Sequence, residues 1–175
     1  GLEADPSISK RFRRRPLCET LSGNTVEVLT VTSFMADPEA IAKRKGVVIS
    51  SRVHPGESNA SHMMQGIIDY LVGPSLDAKV LRDNFVFKLV PMLNPDGVVV
   101  GNYRCSLAGL DLNRMWRDAS TWICPSSRLS SFSIPRSSAF FDVTPAFSDQ
   151  PPRAGSFVIS STWARASEGA AVGLP

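Results

Sequence analysis

His54-Pro55-Gly56-Glu57 is the segment whose residue types could bind a metal. A His and a Glu three apart can both reach one Zn²⁺, through an imidazole nitrogen and a carboxylate oxygen. The Pro-Gly between them makes a tight turn. Taken alone the spacing is a weak signal, because a loop His beside a Glu that favours a helix N-terminus has the same spelling. Further along come a strong turn, Asn94-Pro95-Asp96-Gly97, then Arg104 inside Gly101–Ser106, then Gly109-Leu110-Asp111-Leu112-Asn113-Arg114. For Arg104 and Arg114 the plain alternative is surface salt bridging.

The elements that must position these residues can be read from pattern. Val26–Thr32 is rich in β-branched residues and predicts a strand. Asp37-Pro38 opens a short helical link through Ala42. Gly46–Val53 predicts a second strand, with a Val-Val-Ile core suited to burial on both faces of a parallel sheet. Ala60, Met63, Met64, Ile67, Ile68, Leu71 and Val72 form one apolar stripe at helical period, which places both methionines in the core. Gly73-Pro74 ends that helix, and Ser75 can cap a shorter one running to about Arg82. Phe85–Val90 predicts a third, mostly buried strand. Strand, helix and strand in this order make a parallel βαβ unit, and in open α/β sheets functional groups gather at the carboxyl ends of the strands. The His-x-x-Glu and Asn-Pro-Asp-Gly segments both follow such ends.

The order His-x-x-Glu, Asn-Pro-Asp-Gly, Arg, Asn-Arg resembles the M14 metallocarboxypeptidases. The wording of Arg52–Asn59, Pro91–Gly97 and Asn102–Gly109 resembles, more narrowly, the cytosolic carboxypeptidases that trim glutamates from tubulin. The resemblance covers residues 10–117. It implies an α/β fold, the N-terminal part of a carboxypeptidase-like mixed sheet with flanking helices, followed by an irregular tail. It implies Zn²⁺ as cofactor, with His54 and Glu57 as ligands. Arg104 would polarise the scissile carbonyl and stabilise its oxyanion. Asn113 and Arg114 would grip the terminal carboxylate of the substrate, a task that suits the planar fork of an arginine. The implied substrates are peptide or protein C-terminal tails, glutamylated tubulin among them, in the cytoplasm.

A catalytic zinc site ordinarily has three protein ligands. The sequence holds two histidines, and the second, His62, falls on the polar face of the helix. The downstream Glu that serves the family as general base has no counterpart after Arg114, where Glu168 stands alone. An inactive truncated form or binding fragment of the same family is therefore the competing expectation.

The remaining composition divides the chain into three. Residues 1–20 are expected as a basic arm, since Lys10–Arg15 holds five of the 19 basic residues behind a net charge of +3. Such an arm is a solvated face, a nuclear signal, a nucleic-acid contact or an electrostatic guide for acidic substrates. Residues 21–118 are expected as the partial catalytic domain. Residues 119–175 hold 13 Ser and 6 Pro but only 7 charged residues, and are expected to be disordered, from another exon or reading. The odd cysteine count argues against a disulfide framework. Cys105 is expected as a buried structural thiol. No apolar run approaches membrane-spanning length.

Overall fold

A computed structural model describes residues 5–115 and the backbone of 139–143. A short helix, α1 (Pro6–Ser9), leads into strands β1 (Phe12–Glu19) and β2 (Thr25–Val31). Then follow α2 (Pro38–Ala42), β3 (Lys45–Ser51), α3 (Ser58–Val72), α4 (Leu76–Asn84), β4 (Phe85–Val90), α5 (Pro95–Val100), a 3-10 turn at Leu112–Arg114, and β5 (Ala139–Val143). The strands form one mixed sheet in the order β1-β2-β4-β3-β5. β3 runs parallel to both β4 and β5, and β2 runs antiparallel to β1 and β4.

The βαβ unit is β3-α3-α4-β4. Met64, Leu71 and Val72 of α3 meet Leu29, Val31, Phe87 and Leu89 of the sheet, with Phe12, in one buried cluster. Met64 is 1% exposed, but Met63 is 47% exposed and is not core. It lies at the margin of the stripe, two turns from exposed Tyr70. The α3 C-terminus is closed by Arg82 of α4, whose Nη1 donates to the carbonyls of Leu71 (2.6 Å) and Gly73 (3.0 Å). Two free helix-end carbonyls thereby gain a charged donor. Ser75 caps α4, its hydroxyl accepting from the Ala78 N–H at 3.2 Å.

Several segments differ from what the sequence pattern predicts. Residues 12–19 are an edge strand rather than an arm. β1 pairs with β2 from Phe12↔Val31 to Glu19↔Thr25, with a bulge between Pro16 and Cys18. Phe12 supplies the buried anchor, while Arg13, Arg14 and Arg15 stay exposed. Arg13 stacks over Phe34 and Arg14 pairs with Glu27 at 3.7 Å. Three consecutive arginines hid the strand, because charge at a sheet edge is compatible with pairing on one side only. Ala139–Val143 likewise forms β5 inside the stretch expected to be irregular; the rest of 116–175 lies outside the described residues. Cys18 is disulfide-bonded, which an odd cysteine count does not exclude. Cys105 is a free, half-buried thiol. No helix among the described residues is long and apolar enough to cross a membrane.

Candidate functional site

The site is built where β3 and β4 end side by side. The Leu93 N–H donates to the Ser51 carbonyl at 2.9 Å, and Asn94 Nδ2 donates to the Val53 carbonyl at 3.3 Å. Below these segments lies a second apolar cluster: Val26, Val28, Val53, Val90, Leu93 and Leu112. Val53 precedes His54, Leu93 precedes Asn94, and Leu112 follows Asp111. One cluster therefore anchors all three segments that carry polar groups into the site.

The His54-Pro55-Gly56-Glu57 turn is clamped by the loop after α5. The Gly56 N–H donates to the Tyr103 carbonyl at 2.7 Å. A Cβ at Gly56 would stand 2.4 Å from the Tyr103 ring and 2.8 Å from that carbonyl. At Gly97 a Cβ would meet Pro55 Cγ at 2.4 Å and the Cys105 carbonyl at 2.9 Å. Both glycines permit backbone approaches that no side chain would allow. Asn94 caps α5 by accepting from the Gly97 N–H at 3.0 Å. Asp96 is buried and ties α5 to the β1–β2 turn, accepting from the Thr20 hydroxyl, the Ser22 N–H and Asn24 Nδ2. Burial pushes its carboxyl up, but the hydrogen bonds from Ser22, Thr20 and Asn24 outweigh this and hold it below the usual carboxylate range.

His54 and Glu57 meet in a buried pair, 4% and 8% exposed, with Nδ1 2.9 Å from Oε1. Glu57 occupies the N-cap of α3, where Ser, Thr, Asp and Asn are favoured because their short side chains bond the first free N–H groups. Its side chain makes no capping bond. It turns to His54 instead, and its Oε2 is buried without a partner among the described residues. The other ring nitrogen, His54 Nε2, lies 3.1 Å from Asp111 Oδ1. When Nε2–H donates to Asp111, Nδ1 presents its lone pair toward the Glu57 carboxylate. Two acceptors so close invite a cation between them.

Asp111 is the hub that sequence reasoning passed over. Besides His54 it accepts from Arg104 Nε at 2.8 Å and from the Asn113 N–H at 3.0 Å. Burial pushes its carboxyl up; the bonds from His54, Arg104 and Asn113 outweigh this and hold it below the usual range. The signal available was its place two residues before Asn-Arg, where it also caps the 3-10 turn. Through Asp111 the fold brings Arg104 and Asn113 to His54. Arg114 sits exposed on the same 3-10 turn, with a 3.4 Å bond from Nη1 to the Asn113 carbonyl.

Whether zinc fits can be judged from these donors. His54 Nδ1 and the Glu57 carboxylate are zinc-type ligands, adjacent and desolvated, with one oxygen unpartnered. Asp111 stands on the far side of the imidazole, so the three groups lie along the ring and not around a point. Accordingly, no group of three His, Cys, Asp or Glu able to hold a metal exists among the described residues. His62 is exposed on α3. The described residues thus offer two zinc-type donor groups and a carboxylate that holds the imidazole from its far side.

The family model for the zinc carboxypeptidases of peptidase family M14 matches residues 5–163. The chain belongs to this family. The match runs well past residue 117, where the sequence motifs give out. Cytosolic carboxypeptidase 3 of Bos taurus is 58% identical over 114 residues, covering 65% of the chain and 11% of that protein. Cytosolic carboxypeptidase 2 of Homo sapiens is 55% identical over 113 residues, covering 65% and 12%. The chain therefore spans about an eighth or less of the length of these curated relatives. The metallo-carboxypeptidase of Burkholderia cenocepacia superposes with a TM-score of 0.59 at 33% identity, over 71% of the chain and 32% of that structure. The metallo-carboxypeptidase of Pseudomonas aeruginosa gives 0.60 at 27%, over 78% and 36%. The α/β sheet with flanking helices is thus the carboxypeptidase fold in part.

Proposed function

We propose that the chain carries the front part of a zinc metallocarboxypeptidase site acting on peptide and protein C-terminal tails. The observation that carries this reading is the buried His54–Glu57 pair, whose Glu forgoes its capping bond and keeps one oxygen unpartnered. His54 and Glu57 would hold Zn²⁺, which when bound polarises a carbonyl and acidifies a water. Asp111 fixes the imidazole so that Nδ1 faces the metal position. Arg104 keeps its Nε on Asp111, leaving its terminal nitrogens for the oxyanion of a scissile carbonyl. Asn113 and exposed Arg114 hold the terminal carboxylate of the substrate. We assign glutamates of polyglutamylated tubulin or similar acidic tails as the residues removed, and the cytosol as the compartment. The motifs of residues 52–59 and 102–109 support the first assignment, and the cytosolic carboxypeptidase names of the relatives support the second.

A second reading keeps the family and denies the activity. It is favoured by the lack of a third metal ligand among the described residues, and makes the chain an inactive form or binding fragment of the family. Incubating the purified chain with Zn²⁺ and a C-terminally glutamylated peptide, and following free glutamate by mass spectrometry, separates the two. Turnover abolished by His54→Ala supports the active reading. No turnover leaves the inactive one, and turnover that survives His54→Ala contradicts the site.

A further inference from the structure

We propose that Arg52 is the positioning residue of the His54–Glu57 pair, an inference that rests on the metal-binding reading above. Arg52 follows β3 directly and is the single non-glycine residue with positive φ (58°) among the described residues. Glycine adopts this left-handed conformation without steric cost, so an arginine here implies that the side chain compensates. It does so with two bonds. Nε donates to the Pro55 carbonyl at 2.8 Å, and Nη1 donates to Ser61 Oγ at 2.6 Å.

One acceptor lies within the ligand pair and the other beyond it. Pro55 stands between His54 and Glu57, and Ser61 lies on α3 one turn beyond Glu57. The rigid guanidinium fork therefore ties the turn that carries His54 to the helix that presents Glu57. The left-handed residue bends the chain out of the strand, so that Val53 enters the apolar cluster at 1% exposure and His54 follows toward Glu57. Arg52 makes its bonds to neither ligand side chain. It acts through the Pro55 carbonyl and the Ser61 hydroxyl.

The test uses the full chain in a His62→Gln background, where the one remaining imidazole belongs to His54. Nitrogen NMR of that ring reports its bond to Asp111 without any metal. Zn²⁺ affinity is read by competition with a chromophoric chelator, and folding by the urea midpoint. Arg52→Gly keeps the backbone conformation and removes the tether. It is expected to lose the protected ring N–H signal and about tenfold of the zinc affinity, the size typical of a lost orienting contact. Arg52→Lys, with one donor in place of a fork, is expected to recover part of both. An unchanged ring spectrum and zinc affinity in Arg52→Gly would overturn the proposal. Should that variant not fold, Ser61→Ala decides: it cuts only the helix side of the tether, and an unaltered ring spectrum contradicts the role. Absence of zinc binding in the parent chain sinks the metal reading alone, since the ring spectrum still decides on Arg52.

Discussion

His54 has a carboxylate at each ring nitrogen, and the two have different tasks. Glu57 shares a buried side with Nδ1, while Asp111 orients the ring from Nε2 and takes Arg104 with its second oxygen. Asp111→Asn keeps the shape and removes the charge. It is expected to lower Zn²⁺ affinity by about 10- to 100-fold, read by chelator competition. The glycines around the pair are a matter of space. Gly56→Ala forces a Cβ into the Tyr103 ring and carbonyl. Overpacking of this kind costs about 1–3 kcal/mol, expected as a lower urea midpoint with unchanged slope. The sequence named His54 and Glu57 because ligand chemistry and spacing are local. It missed the roles of Asp111, Arg52 and Tyr103 because their work depends on contacts across the fold, which no spacing encodes.

At the scale of elements, the site depends on loops held by one apolar cluster and one buried carboxylate. Leu112 is the apolar residue of the 3-10 turn that carries Asn113 and Arg114. Leu112→Ala should destabilise the fold by about 2–5 kcal/mol in urea unfolding. Asp96 joins α5 to the β1–β2 turn, and its hydrogen bonds depress its carboxyl below the unfolded value of about 3.9. A depressed carboxyl contributes stability that is full above the unfolded value and is lost as pH falls through the folded one. Urea melts across the acid range should therefore show a loss of stability below about pH 4 that Asp96→Asn removes, at the expense of lower stability at pH 7. The same slope in both proteins would show that other carboxylates govern acid unfolding. Regular elements with a strong apolar pattern, the helical stripe of α3 and the buried run of β4 above all, were legible in the chain. β1 was not, because its alternation is overwritten by Arg13–Arg15, and β5 was not, because a five-residue strand among Ser and Pro has no pattern of its own.

Seen whole, β3 lies between two parallel partners, and its carboxyl end delivers the His54–Glu57 turn. The sheet core and the His54–Glu57 turn belong to the same βαβ unit, so the turn is as firm as the sheet beneath it. The family was legible from motif order alone, and the match to the zinc carboxypeptidases bears it out. The proposed function requires that His54 and Glu57 act as one metal-binding unit. Titrating Zn²⁺ into the purified chain by calorimetry, beside His54→Ala and Glu57→Gln, tests it most directly. One zinc per chain is expected, with affinity reduced at least tenfold by either substitution. Zinc binding that neither substitution weakens would contradict it.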